Sequence, residues 1–476
     1  MKAGLLASVM LALGLAACGE IPYRKAGFEQ YPECRAIYDR HDDITPGNKN
    51  VTDADRGSRC WLRSHEERNE YDLLTVEFDD QGWVQGSSDL GRPAKSDYLD
   101  QFFAQLDEIY RANQKNGLSL VLFIHGWHHN ADAKDENVTQ FRLLVRDLAI
   151  FEGGRQLSGR GAEGSGPRVV GIYVGWRGES ISLPIVNTVT FWERKNSAER
   201  VAQGSVRELF ARLDFFRDTA RANGKRNVRL LTIGHSFGGL ITFEALSNEF
   251  LRAAVRREGG YVSRVGDVVV IVNPAVEGAR YEPLMVAGQR MRDLKDNQLP
   301  VVVVATSAAD SATGFFFPLA RRVSTLLEST PGPEGDAIVK AVGHNERYIT
   351  HKLSLCGAGD KEDCAAACPA PRLKERKSTK AMSSPDRDDY SSKLTQDMAA
   401  EVALMRVIGD KGFKGRKYLC SGMRLEPTAN QVPEQNPFWV VSTTGDIMSG
   451  HNDIFNPKFV SFIRQMYLGF IAERSK

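Results

Sequence analysis

Val228-Arg229-Leu230-Leu231-Thr232-Ile233-Gly234-His235-Ser236-Phe237-Gly238-Gly239 is the stretch on which the reading of the fold turns. Its first half is an apolar run. Its second half has the pattern G-x-S-x-G, and Leu240 to Arg256 follows as a helix-like segment. A strand, a sharp turn and a helix in that order bring a serine hydroxyl into the open. Serine is a weak nucleophile until it is held beside a base. The turn crowds the backbone, and Gly234 and Gly238 relieve the crowding because they carry no Cβ. Gly239 eases close packing of the helix start. The pentapeptide alone also occurs in glycine-rich turns with an incidental serine, so the flanking strand and helix carry the reading.

Outward from that turn, strand and helix signals alternate. Tyr71 to Phe78, Leu118 to Ile124, Arg168 to Trp176, Asn227 to Ile233, Asp267 to Val272, Leu299 to Ala305 and Phe438 to Ser442 read as strands. Several are near-continuous apolar runs, as parallel strands covered on both faces require. Tyr98 to Asn113, Gln140 to Phe151, Ser197 to Ala222 and Pro457 to Ala472 read as helices. The alternation predicts an α/β fold with a mostly parallel central sheet flanked by helices. In such sheets a site lies at the carboxyl ends of the strands.

Four features fall at those ends: His125-Gly126-Trp127, Ser236, Asp310 and His451. On these residues, and on the chain order Ser, Asp, His, the chain from Tyr71 onward resembles the α/β-hydrolase superfamily of serine hydrolases, esterase- and lipase-like. It is most similar to bacterial members that carry a lipoprotein signal. The resemblance implies an α/β-hydrolase fold over residues 71–349 and 437–476. It also implies a cysteine-containing insertion over residues 350–436, before the last strand. That insertion holds a charged stretch around Lys374 to Lys393, which reads as a solvated loop or a small disulfide-stapled subdomain.

The resemblance also assigns roles. Ser236 is the nucleophile, His451 the base and Asp310 the acid that orients the imidazole. Glu277, after the preceding strand, is the alternative acid, and His344 and His351 compete for the base role. The backbone N–H groups of Phe237 and Trp127 form the oxyanion hole, Trp127 through a match of Phe123-Ile124-His125-Gly126-Trp127 to the HG box of lipases. His125 itself reads as a brace for that loop. A metal site built from His125, His128 and His129 lacks a carboxylate or thiolate at matching spacing, so no metal and no cofactor is implied. Ile181 to Trp192 and Phe315 to Leu319 are apolar segments on the catalytic side that could line an acyl pocket, form a lid or simply pack in the core.

The chain opens with Lys2, an apolar run Leu5 to Leu15, and then Leu15-Ala16-Ala17-Cys18. The run is short for a membrane span and reads as a signal peptide over residues 1–17. Its end resembles the lipobox of bacterial lipoproteins, which implies cleavage before Cys18 and lipid on that cysteine. Gly19 in the next position favours the outer membrane if the source is Gram-negative. Of seven cysteines, six then remain, an even number that suits disulfides in an oxidising compartment. Cys34 and Cys60, in an N-terminal extension over residues 18–70, are predicted to pair. Cys356, Cys364, Cys368 and Cys420 are predicted to pair among themselves, in an order left open.

The 476 residues carry a formal net charge of +2. That balance, without a basic stripe interleaved with aromatics, argues against a nucleic-acid partner. The expected activity is cleavage of carboxylic esters, acyl or lipid-like, in a bacterial cell envelope, with the membrane reached through the lipid anchor. Two alternatives use the same chain: a non-catalytic envelope lipoprotein that binds through a hydrolase scaffold, and an acyltransferase.

Overall fold

The apolar runs predicted as strands join in one sheet. The computed structural model describes residues 63–84, 98–154, 166–178, 187–222, 228–325, 333–368, 384–429 and 432–473. It also describes residues 28, 32–40, 52, 54 and 60. The signal segment, Cys18 and Ile181 to Val186 lie outside the described residues.

The strands are β1 (His65–Glu67), β2 (Tyr71–Phe78), β3 (Leu118–Ile124), β4 (Arg168–Trp176), β5 (Val228–His235), β6 (Val268–Val272), β7 (Val302–Ser307), β8 (His351–Leu355), β9 (Lys417–Leu419), β10 (Met423–Pro427) and β11 (Phe438–Thr443). Their order in the sheet is β1-β2-β4-β3-β5-β6-β7-β11-β8-β10-β9. From β2 to β8 every neighbouring pair is parallel. Antiparallel strands add to the two margins.

The described helices are α1 (Pro32–Arg40), α2 (Tyr98–Ala112), α3 (Glu136–Gly154), α4 (Asn187–Gln203), α5 (Val206–Ala222), α6 (Phe237–Val255), α7 (Gly278–Arg290), α8 (Phe317–Ser324), α9 (Pro333–Val339), α10 (Lys361–Ala367), α11 (Ser384–Lys411) and α12 (Pro457–Glu473). Side chains alternate across a strand, so each central strand feeds two cores. Leu120, Leu122, Ile271 and Val304 join the α2, α4, α5, α6 and α7 side. Val121, Phe123, Val270 and Val303 join the α3, α11 and α12 side. Each large apolar side chain buried this way contributes about 1.5–3 kcal/mol. Both faces are therefore apolar, which is why these strands read as continuous runs rather than as alternating ones.

Two expectations need correction. Ser197 to Ala222 is not one helix but the end of α4 and all of α5, broken at Gly204-Ser205. Gly204 lies against the Gly82 backbone, and a Cβ there would come within 2.5 Å of Gly82 O. The helix stops where the two backbones meet. Within residues 350–436, the described part of the charged stretch around Lys374 to Lys393 is helix rather than solvated loop. The segment also extends the sheet with β8, β10 and β9, and its helix α11 is 28 residues long. Of the charged stretch, residues 384–393 begin α11, and residues 374–383 lie outside the described residues. The helix is anchored further along by Met398 and Met405 in the core and by Glu401, which accepts from Ser461 Oγ at 2.6 Å on α12.

The sulfurs of Cys34 and Cys60, of Cys356 and Cys364, and of Cys368 and Cys420 lie at disulfide distance. The last two pairs tie α10 to the ends of β8 and β9. No described helix is long and apolar enough to cross a membrane.

Candidate active site

The parallel register sets the carboxyl ends of the central strands side by side. Ile124 pairs with Gly234, His235 with Val272, Val272 with Ala305, and Ser307 with Thr443. The loops that leave these strands carry His125, Ser236, Asn273, Asp310 and His451.

Ser236 stands between β5 and α6 with φ 56° and ψ −118°. A non-glycine residue at positive φ is strained and persists only where its surroundings over-determine it. Here they do. The Ser236 N–H donates to Val272 O at 2.9 Å, and Ser236 O accepts from Leu240 N at 3.0 Å. The turn also presses α6 onto the β3 end, where a Cβ on Gly238 would stand 2.2 Å from Ile124 O. The G-x-S-x-G spacing is thus a steric requirement of this packing.

The Ser236 Oγ lies 2.8 Å from His451 Nε2, and His451 Nδ1 lies 2.8 Å from Asp310 Oδ2. A carboxylate only accepts, so His451 carries its proton on Nδ1 and leaves Nε2 to accept from the serine hydroxyl. Asp310 also accepts from Ala312 N at 2.8 Å, from Thr313 N at 3.2 Å and from the Thr313 hydroxyl. Burial alone would raise the Asp310 pKa. The hydrogen bonds from His451 and Thr313 outweigh it and hold the carboxyl below its usual value. It is ionised at neutral pH.

The loop that carries His451 is held from behind. Asn273 Nδ2 donates to His451 O at 2.8 Å and to Gly450 O at 3.3 Å. His235 Nε2 donates to the same His451 carbonyl at 2.9 Å. The Nδ1 atom of His235 has no partner among the described residues, and burial takes the ring's pKa well below its usual value. His235 is therefore a neutral donor. Asn273 Oδ1 accepts from Ser307 N at 2.9 Å, and Ser307 Oγ donates to Met448 O at 2.5 Å. Sequence reasoning missed Thr313, Asn273, His235 and Ser307. Asn273 directly after a run of valines was the one visible signal.

The remaining candidates are placed as follows. Glu277 has its oxygens 3.1 Å from Lys195 Nζ, 2.9 Å from Arg280 Nε and 3.2 Å from Arg321 Nε, while His451 Nδ1 is taken by Asp310. The His351 ring is buried with its centroid 4.1 Å from that of Trp439, and burial pushes its pKa down to about 3. His344 Nε2 is 2.9 Å from Thr313 Oγ1, and the imidazole nitrogen at Ser236 Oγ belongs to His451.

On the other side of the serine, a Cβ on Gly126 would stand 2.8 Å from Ser236 Cβ, so the loop after β3 lies against Ser236. His125 braces this loop. Its Nδ1 donates to Gly126 O at 2.9 Å, and its Nε2 accepts from Trp176 N at 3.1 Å. Burial lowers its pKa to about 4, so the ring is neutral and both nitrogens are taken by the backbone. Gly178 O accepts from His128 N at 3.0 Å. Trp127 is half-buried beside Phe237, with centroids 6.2 Å apart, and Phe191 packs on both rings and on Phe317. These aromatics form a wall beside the serine, whereas Phe315 and Phe316 of the apolar stretch are exposed.

No protein-family model, curated protein or solved structure matches this chain.

Proposed function

We propose that the chain is a serine hydrolase with an α/β-hydrolase fold that cleaves carboxylic esters through an acyl-enzyme. The observation that carries this reading is the continuous hydroxyl–imidazole–carboxylate chain, with 2.8 Å at both links to His451. Surface serines do not gather a base and a buried ionised acid at strand ends.

In the proposed reaction, Ser236 Oγ attacks the ester carbonyl carbon as its proton passes to His451 Nε2. Asp310 stabilises the imidazolium that forms. The carbonyl oxygen, now an oxyanion, lies between the N–H groups of Phe237 and Trp127. The C–O bond to the alcohol breaks, and His451 gives its proton to the departing oxygen. Water then repeats the sequence on the acyl-enzyme and frees the acid. The aromatic wall of Trp127, Phe191 and Phe237 supports an apolar acyl or alkyl group, and with it acyl or lipid-like esters as substrates. Attack by an alcohol in place of water would give acyl transfer with the same residues.

The lipobox-like sequence at Cys18 supports attachment to a bacterial envelope membrane, the outer one if the source is Gram-negative. Mass spectrometry of the mature N-terminus is expected to find an acylated cysteine, and an unmodified one would end that part of the proposal. Labelling by a fluorophosphonate probe, with Ser236→Ala as control, tests the reaction. Loss of labelling in the variant is expected. A wild-type protein that takes no label at Ser236 favours the binding-scaffold alternative.

A further inference from the structure

The hydrogen-bond chain does not end at Asp310. Thr313, buried in the π-helical turn Ala312–Phe316, donates its hydroxyl proton to Asp310 Oδ2. A hydroxyl has one proton and the ionised carboxylate has none to give, so Thr313 Oγ1 must accept from its other neighbour. That neighbour is His344 Nε2, 2.9 Å away. His344 therefore carries its proton on Nε2.

The arrangement is built rather than incidental. π-turns are rare and occur often at functional sites. The His344 ring lies over this one, since a Cβ on Gly314 would stand 3.0 Å from His344 Cε1. His344 ends the 3₁₀ turn Val342–His344, which sits against β7, where a Cβ on Gly343 would stand 1.9 Å from Thr306 Oγ1. Two elements far apart in sequence are thus fixed so that one proton points at Oδ2.

We infer that Thr313 and His344 are positioning residues, which together hold a second donor on the Asp310 oxygen that faces His451 and so set the proton affinity of that imidazole. The inference rests on the triad reading above. A carboxylate oxygen shared between two donors is a weaker partner for either. Without the Thr313 proton, Asp310 would stabilise the His451 imidazolium more, and the base would titrate at higher pH. Burial lowers the His344 pKa, so at neutral pH the ring orients Thr313 without adding charge. The other titratable groups around Asp310 and His451 are His235, with its ring centroid 5.0 Å from that of His451, and beyond it His129. Asp453 is occupied by Ser449 and Asn456.

The test is an NMR titration of the His451 ring in the full chain, run beside the pH profile of kcat/KM for a short p-nitrophenyl ester. Thr313→Val is expected to raise the His451 midpoint and the acidic limb together by roughly 0.5–1 pH unit. It should lower kcat about tenfold with KM little changed. His344→Leu should shift both in the same direction by less. Thr313→Ser and His344→Gln, which keep the hydroxyl and the N–H donor, should return toward wild type. If Thr313→Val does not fold, His344→Leu and its Gln partner carry the comparison. A folded Thr313→Val or His344→Leu protein with an unmoved His451 midpoint overturns the inference. Fluorophosphonate labelling of the wild type decides the triad reading separately. An unlabelled protein whose His451 midpoint still shifts sinks that reading and keeps this one.

Discussion

The centre of the sheet and its β8-β10-β9 margin are built on different rules. In the centre, β6 is buried along its whole length and is flanked by parallel neighbours whose carboxyl ends align to one residue. At the margin, β10 alternates buried and open positions, Met423 and Leu425 facing in while Arg424 and Glu426 face out. The centre is held by apolar packing on both faces. The margin is held by one packed face, by two cysteine pairs and by polar ties such as Tyr418 Oη to Asp360 at 2.9 Å. Ser236, Asp310 and His451 all stand on loops that leave strands of the centre. A site that must hold 2.8 Å contacts needs a frame that does not breathe, and the margin can vary without disturbing it.

The sharpest way to break the comparison is at the serine. Ser236→Ala is expected to lower ester turnover by roughly 10⁴–10⁶-fold, and His451→Ala by nearly as much. The double variant should lose little more, because members of one hydrogen-bonded unit are strongly non-additive. Asp310→Asn should cost somewhat less, about 10³–10⁴-fold. Stability should change by about 1 kcal/mol or less for Ser236→Ala, which removes the hydrogen bond to His451 Nε2 but no apolar contact of the core. Steady-state kinetics beside urea unfolding checks both. An active Ser236→Ala protein would remove the centre's claim to the chemistry.

Glu277→Gln sharpens it in the opposite sense. Glu277 is buried among Lys195, Arg280 and Arg321, and the Lys195 side chain is only 3 % exposed. Removing one partner of a buried ion pair leaves an uncompensated charge, at a cost of about 3 kcal/mol. Lys195 keeps Glu199 at 2.7 Å, which limits the loss. The expected outcome is a less stable protein whose kcat per folded molecule is unchanged. A kcat that collapsed while stability held would place Glu277 in the chemistry.

Cys368→Ser with Cys420→Ser tests the margin. The pair closes a sequence separation of 52 residues, and loops of that size lend about 2–4 kcal/mol. Unfolding should shift by that order while turnover stays within threefold. A large loss of turnover would show that the margin reaches the centre.

The same contrast explains what the sequence reveals. Ser236, Asp310 and His451 can be located because each follows a strand whose apolar run is unmistakable. The strands β8, β9 and β10 are short, half-exposed and separated by charged residues, so the segment reads only as a cysteine-containing insertion. Around the site, Thr313 reaches Asp310 from three positions away, whereas Asn273, His235 and His344 act through contacts between residues 31 to 216 positions apart. No local spacing encodes such a meeting. The break between α4 and α5 is hidden for a similar reason, since its cause is the distant backbone of Gly82.

The smallest expected effect is a slope. Four histidines, His125, His235, His344 and His351, have their pKa lowered in the folded chain, to about 4 for His125 and about 3 for His351. Burial is the leading cause for each. An unfolded chain binds a proton at each of these rings once the pH drops below about 6.5, and the folded chain does not until the lowered value is reached. The unfolded state therefore holds more protons in that window, and stability falls as the pH falls through it. Each ring contributes up to about 1.4 kcal/mol per pH unit. Asp72, Asp135 and Asp310 have lowered values too, so their contribution is present above about 3.8 and is lost only at lower pH. Glu199 and Glu282 are lowered from 4.5 and begin to contribute below about pH 5.5. The rings are therefore read from about pH 6.5 to 5.5, and through the difference between variant and wild type, in which the carboxylates cancel. His351→Phe keeps an aromatic ring beside Trp439, abolishes the titration and loses the contact with Thr350 Oγ1 at 2.9 Å. Its absolute stability will change for that reason, but the slope of urea-derived stability against pH should flatten by about 1 kcal/mol per unit. A slope identical to wild type would mean that this ring, at the boundary where β11 meets the margin strand β8, is open enough to protonate in the folded protein.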